Sequence, residues 1–309
     1  MRSCVVQKHP SAKQIEDWAW RSILFVPAHR HAYLDKAGRS GADAVQLDLE
    51  DSVPTQVKTA ARDALAQAVP QLRGHGVGVL VRVNRPLELA VPDIQAAIRA
   101  GADAISLTKV ASAEHVRLLD ELVAVEEQRS GTPVRTRLIA IVETAHAFGQ
   151  MQAIAEASPR VAALMLGSED FALDCGAEAL ADVLLMPKQS MIIAARAAGV
   201  QPLGYIGSVA DFRDLDAFRT MVQRSRRFGF EGATCVHPSQ VPILNEAFGV
   251  SVEEASQATR LIQAYQSAAG EGRGALMLDG RMVDLPMFER AKRTLARAVI
   301  HASRTASLS

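Results

Sequence analysis

Three cysteines in 309 residues, Cys4, Cys175 and Cys235, are too few and too scattered for a disulfide framework or a cysteine metal cage. They describe a reduced, intracellular chain. Charge of neither sign is in excess: 34 Lys and Arg face 34 Asp and Glu, so the totals carry no electrostatic footprint for nucleic acid or an anionic membrane. No apolar run approaches the roughly 18 residues of a membrane span. The opening Met1-Arg-Ser-Cys-Val-Val-Gln-Lys-His-Pro10 has some positive charge but no apolar stretch of signal-peptide length. A soluble, cytoplasmic protein is expected. Also lacking are a phosphate loop, a Gly-x-Ser-x-Gly elbow and HExxH, which excludes the usual nucleotide hydrolases, serine hydrolases and zinc proteases. Gly74-His-Gly-Val-Gly78 precedes an apolar run, whereas a dinucleotide fingerprint follows one.

What the chain does have is a 49% apolar share, arranged as eight short runs at 22–28, 44–50, 77–84, 104–110, 138–143, 162–168, 201–206 and 232–236. Such runs read as strands buried on both faces. Helical periodicity fills the gaps, as over Gln56–Leu72 and Ala113–Gln128. Eight strand–helix alternations in about 250 residues fit a (β/α)8 TIM barrel, with a doubly wound open sheet as the alternative. Ser40-Gly-Ala-Asp-Ala-Val45 recurs sixty residues on as Ala100-Gly-Ala-Asp-Ala-Ile105, and Phe230-Glu-Gly-Ala-Thr-Cys-Val236 is a weaker third copy. In the first two the glycine can end a helix with positive φ before the next strand begins. Residues 1–20 are assigned to a polar N-terminal extension, loose or briefly helical around Trp18 and Trp20. The barrel is assigned to 21–249. Residues 250–309, with helices at 252–269 and after Pro286, are more than a barrel needs and are read as a lid and oligomerisation segment.

Barrel chemistry is assembled at the C-terminal strand ends. In chain order those ends hold His29, Arg30, Asp48, Glu50, Asp51, Arg82, Asn84, Lys109, Glu143, Asp170 and His237. Glu143 and Asp170 each follow an apolar run, and two hard oxygen ligands meeting in one pocket point to Mg²⁺, with Mn²⁺ as the alternative. So many acids are costly to hold together without a cation. Each residue has a plainer role open to it. An acid at a strand end can cap the next helix, Arg82 can form a structural ion pair, and His237 before Pro238 can serve a turn. Lys109 is a rival centre, because a lysine at such a position can form a Schiff base. That needs a depressed pKa, whereas surrounding carboxylates raise it.

With these residues assembled, the chain resembles the citrate lyase beta-subunit group of CoA-ester lyases, which includes malyl-CoA and citramalyl-CoA lyases. Seven pieces in order carry the likeness from about Arg21 to Leu295. They are Arg21-Ser-Ile-Leu-Phe-Val-Pro27, Gly41-Ala-Asp-Ala-Val-Gln-Leu-Asp-Leu-Glu-Asp-Ser52, Val81-Arg-Val-Asn84, Ile141-Val-Glu-Thr-Ala145, Gly167-Ser-Glu-Asp170, Val236-His-Pro-Ser-Gln240 and Gly280-Arg-Met-Val-Asp-Leu-Pro286. The resemblance implies one Mg²⁺ held by Glu143 and Asp170, with Glu50 and Asp51 holding the waters around it. It implies that Arg82 contacts substrate, that backbone amides from Gly167 through Ser168 and Glu169 to Asp170 favour an enolate, and that Arg30 lies along the substrate path. It further implies a homotrimer or hexamer in which Asp284 reaches a neighbouring protomer as the acid/base group. By sequence alone Asp284 can equally cap the last helix.

The implied reaction is Mg²⁺-dependent cleavage of a short 3-hydroxyacyl-CoA, of malyl-CoA or citramalyl-CoA type, into an acyl-CoA and a 2-oxo acid. A thioesterase on the same CoA esters, a metal-dependent 2-oxo acid aldolase without CoA, and a non-catalytic keto-acid-binding homologue are the alternatives. Departures from the group fall on strand ends and loops: Ala28-His-Arg30 for Gly-Asn-Arg, Leu107-Thr-Lys-Val110 for Leu-Pro-Lys-Val, Ala111 for an acid or glycine, and Met186-Pro-Lys188 for an arginine-bearing segment. They bear on the CoA and acyl portions more than on the metal.

Overall fold

The structure is a computed structural model that describes residues 19–131, 136–207 and 214–308. Residues 1–18, including Cys4 and Trp18, lie outside the described residues. The chain divides into two compact units, Met1–Ala247 and Phe248–Ser309.

In the first unit eight parallel strands form one sheet: β1 (Ser22–Pro27), β2 (Ala44–Asp48), β3 (Gly78–Val83), β4 (Ala104–Leu107), β5 (Arg137–Val142), β6 (Val161–Leu166), β7 (Gln201–Leu203) and β8 (Ala233–Cys235). Their order, β7-β6-β5-β4-β3-β2-β1-β8, puts the last strand beside the first. A parallel bridge between Leu203 and Gly232 joins β7 to the start of β8, where Gly204 N–H donates to Gly232 O at 2.9 Å. The result is a (β/α)8 barrel rather than an open sheet, and it rules out the doubly wound alternative.

The repeated Gly-Ala-Asp junction does two jobs. Gly41 and Gly101 take positive φ, 76° and 84°, which only a residue without Cβ adopts freely at a helix end. The aspartates then fasten the base of a neighbouring strand. Asp43 accepts from Arg21 N at 2.7 Å, and Asp103 accepts from Val79 N at 2.8 Å.

Trp20, which composition alone leaves in the N-terminal extension, is 2% exposed and packs at the floor of the barrel with Ile23, Ala44, Leu80, Ala104, Ile139, Ala163 and Leu203. Its main chain is held by Gln201, whose Nε2 donates to Trp20 O at 2.9 Å. Two glycines make room for it. A Cβ on Gly78 would lie 2.6 Å from the indole, and one on Gly232 would lie 1.9 Å from Trp20 O.

In the second unit, helix Val252–Gly270 opens on a capping box made by Ser251 and Glu254. Strands β9 (Leu276–Leu278) and β10 (Arg281–Val283) form an antiparallel hairpin. Its turn is Asp279-Gly280, both at positive φ, the arrangement two-residue hairpins favour. The long helix Leu285–Leu308 follows, and its Phe288 stacks on Tyr265 with centroids 4.7 Å apart. Among the described residues no helix is long and apolar enough to cross a membrane.

Candidate active site

Strand parity decides which side chains reach the mouth of the barrel. Ala44, Gln46 and Asp48 alternate onto one face of β2, as do Leu80 and Arg82 on β3 and Ala104 and Ser106 on β4. Ascending from the apolar floor, Ser106 Oγ donates to Gln46 Oε1 at 3.0 Å. Above them Asp48 and Arg82 are register partners across β2 and β3. Arg82 Nε and Nη2 reach the two oxygens of Asp48 at 2.5 and 3.0 Å. Burial alone would push the Asp48 carboxyl up, but the Arg82 guanidinium outweighs it and holds the group below the usual carboxylate range.

The loops above add four acids and a second cation. Arg82 Nη1 lies 3.0 Å from Glu50 Oε2 and 3.5 Å from Asp51 Oδ2. Lys109 Nζ stands 2.7 Å from Glu50 Oε1, 3.8 Å from Asp51 Oδ1 and 3.7 Å from Asp170 Oδ1. Its backbone N–H donates to Glu143 Oε2. Loops after β2, β5 and β6 therefore converge on Lys109, which follows β4. Burial would lower its pKa, but Glu50, Asp51 and Asp170 raise it above the usual lysine value. A raised pKa favours the charged ammonium and argues against the Schiff-base reading.

Glu143 is buried, and its pKa is pushed up to about 7, first by burial and then by Asp170 and Glu50, against the Lys109 amide. Glu50 is also raised, by burial and by Asp51, against Lys109 and Arg82. Burial and neighbouring acids together disfavour their charged forms, a cost that a cation at the mouth would offset. Gly167 explains how Glu143 fits there. A Cβ at that position would lie 2.5 Å from Glu143 Cγ and 2.6 Å from Oε1, so the glycine leaves space for the carboxylate.

Among the described residues no three His, Cys, Asp or Glu side chains form a ready metal cage. Magnesium needs none, since it takes one or two carboxylates and completes its octahedron with water and substrate oxygens. The hard oxygen donors and the surplus of negative charge fit such an ion, and Glu143 and Asp170 are carboxylates that could hold it.

Other expected residues fall differently. His237 caps the short turn Pro238–Gln240 through Nδ1, and thus serves a turn. Asp284 caps the last helix, accepting from Met287 N at 3.2 Å. Arg30 is exposed at the β1 end. Gly167 N–H is already committed to Val142 O at 2.9 Å, so any donor amides begin at Ser168, in the first turn of helix Ser168–Asp174. Glu169 in that turn is exposed.

Asn84 is drawn into support of the site. It donates to Leu49 O at 2.9 Å and to buried Asp93 at 2.7 Å, and Asp93 also accepts from Arg62 at 2.6 Å. Lys58, which sequence reasoning missed, spends all three ammonium hydrogens on Leu49 O, Glu50 O and Asn84 Oδ1 at 2.9, 2.8 and 2.7 Å. Lys58 and Arg62 lie four residues apart on one helix face and hold the loop bearing Glu50 and Asp51 against the end of β3. The signal available in sequence was only their spacing at the start of a helix.

Known proteins share this architecture. Citrate lyase subunit beta of Escherichia coli K12 is 32% identical over 282 residues, 90% of this chain and 93% of its own length. L-malyl-CoA/beta-methylmalyl-CoA lyase of Rhodobacter capsulatus is 31% identical over 298 residues, covering 88% and 92%. The crystal structure of CitE from Mycobacterium tuberculosis in complex with magnesium, acetoacetate and coenzyme A superimposes with a TM-score of 0.70 at 30% identity, covering 91% of this chain and 98% of that one. The sequence pattern of the HpcH/HpaI aldolase/citrate lyase family matches residues 21–238, and the chain belongs to that family of lyases.

Proposed function

We propose that the protein is a Mg²⁺-dependent carbon–carbon lyase that cleaves a short 3-hydroxyacyl-CoA, of malyl-CoA or citramalyl-CoA type, into an acyl-CoA and a 2-oxo acid. The observation that carries this is the convergence of Glu143, Asp170, Glu50 and Asp51 on one mouth with too little positive charge to match them. The family relatives support it: two are named for citrate or malyl-CoA cleavage, and the solved CitE complex holds magnesium, acetoacetate and coenzyme A.

Glu143 and Asp170 would hold the ion, with Mn²⁺ able to replace Mg²⁺. When bound, it supplies Lewis-acid stabilisation of negative charge on the hydroxyl and carboxylate oxygens of the 2-oxo acid portion. The remaining work belongs to the chain. The substrate hydroxyl passes its proton to the Asp284 carboxylate and its carbon becomes the new ketone as the adjacent C–C bond breaks, the electron pair passing to the thioester as an enolate. Arg82, with Nε and Nη2 fixed by Asp48, would turn Nη1 from Glu50 and Asp51 to a substrate oxygen. The amides of Ser168, Glu169 and Asp170 favour the enolate oxygen. Asp284, supplied by a neighbouring copy in a trimer or hexamer, returns a proton to the enolate carbon. Arg30, exposed at the rim, faces the anionic CoA. A cytoplasmic location belongs to the same reading.

A coupled assay with malyl-CoA, citramalyl-CoA and related esters, with and without EDTA, tests the proposal. Release of 2-oxo acid and acyl-CoA in equal amounts, abolished by EDTA, is expected. Release of free CoA without 2-oxo acid defeats it in favour of thioester hydrolysis.

A further inference from the structure

We infer that Lys109 is the resident cation of this site, holding the carboxylates in place ahead of the divalent ion and opposing that ion once it binds. The inference rests on Glu143 and Asp170 being the ligands.

Lys109 follows β4 in left-handed backbone geometry, φ 47°, which residues with a Cβ seldom adopt outside functional turns. Its surroundings hold it there. Thr108 Oγ1 donates to Val83 O at 3.0 Å, Arg85 Nε donates to Lys109 O at 3.2 Å, and Val110 N–H donates to Ile141 O at 3.2 Å. The turn lets a single residue serve acids from different strands. Its amide takes Glu143 after β5, while its ammonium takes Glu50 after β2 and approaches Asp170 after β6. The side chain is 32% exposed, so the charge sits at the mouth rather than in the core. Arg82 gives Nε and Nη2 to Asp48 and turns Nη1 to Glu50 and Asp51, while Lys109 reaches Asp170.

Two consequences of opposite sign follow from Coulomb's law. Without the divalent ion, deleting the ammonium leaves the carboxylates repelling one another. With the ion present, the same deletion removes a like charge and frees the acids for it. Damage to the site alone would weaken ion binding, so tightening is the diagnostic result.

Mg²⁺ binding to the full chain is measured by calorimetry for wild type, Lys109→Met and Lys109→Gly, with thermal unfolding recorded in EDTA. Methionine keeps the side-chain bulk. Glycine keeps the left-handed backbone without strain and guards against a folding failure of the first variant. Both variants are expected to bind Mg²⁺ about tenfold or more tightly than wild type, even with water-like screening, and Lys109→Met is expected to melt lower in EDTA. Unchanged or weaker Mg²⁺ binding in the folded variants overturns the inference. Absence of Mg²⁺ binding in the wild type instead sinks the ligand assignment. The EDTA melt then decides the counter-ion role, which an unchanged Tm overturns.

Discussion

Replacing Gly167 by alanine adds one methyl group at a defined place. The backbone φ there is −77°, so alanine meets no conformational penalty, and the effect comes from space alone. The new Cβ would lie 2.5 Å from Glu143 Cγ, against an ordinary carbon–carbon contact of about 3.5 to 4 Å. The Glu143 carboxylate must therefore retreat by about 1 Å. Metal–ligand distances tolerate only about 0.2 Å, and the retreat also pulls Glu143 away from the Lys109 amide. Disturbances of that kind reduce metal affinity by about 10–100-fold. The assay is the rise in Tm with Mg²⁺ concentration, alongside circular dichroism of both proteins in EDTA to show that the barrel is intact. Gly167→Ala should need correspondingly more Mg²⁺ for the same shift. Equal Mg²⁺ affinity in the two folded proteins would refute Glu143 as a ligand, or the packing that seats it.

Asp284→Ala should retain Mg²⁺ binding, lose about 10²–10⁴-fold in turnover and lose about 1 kcal/mol of helix capping. Asp284→Asn keeps the cap and should lose the turnover alone, so an active Asn variant removes Asp284 from the chemistry. Lys58→Met should speed hydrogen exchange over residues 49–53 and lower kcat more than it raises KM; wild-type exchange in that loop would contradict its clamping role. Buried Lys188, whose Nζ donates to Gly207 O at 2.9 Å, has its pKa lowered by burial to about 8, with Glu169 pulling the other way. Below that pH folded and unfolded chains both hold the proton. Between there and the ordinary value of 10.5 the unfolded chain binds more. The stability of wild type relative to Lys188→Met should therefore rise from about pH 8 to about pH 10. Burial of Cys235, which pushes its thiol up to about 12, acts in the opposite direction but is common to both proteins. A flat or falling difference in Tm would show that the lysine is not desolvated.

The eight strands were legible because helices cover the outside of the barrel and the interior fills its lower half, leaving runs apolar on both faces. Their far ends were less so. The run 104–110 extends past β4, which ends at Leu107, because Thr108 and Val110 are buried after the ladder has stopped. Glu143 and Asp170 stood out as charges closing apolar runs, and the pull of carboxylates on Lys109 was foreseeable from their number. The Asp48–Arg82 pair needed the β2–β3 register, which no local pattern contains. Lys58 and Asn84, 26 residues apart, meet only once β2 and β3 are adjacent. Gly167 matters for what it leaves empty, which a sequence does not display. The Asp279-Gly280 hairpin is readable from its two turn residues between apolar neighbours.

Trp20 and the two glycines that admit it make the barrel a cup rather than a pipe. In the proposed reaction, ligands would enter and products leave across the same rim on which the carboxylates stand. A segment that covers the rim therefore governs admission and discharge together, and the turnover of such an enzyme is tied to how often its brim is uncovered.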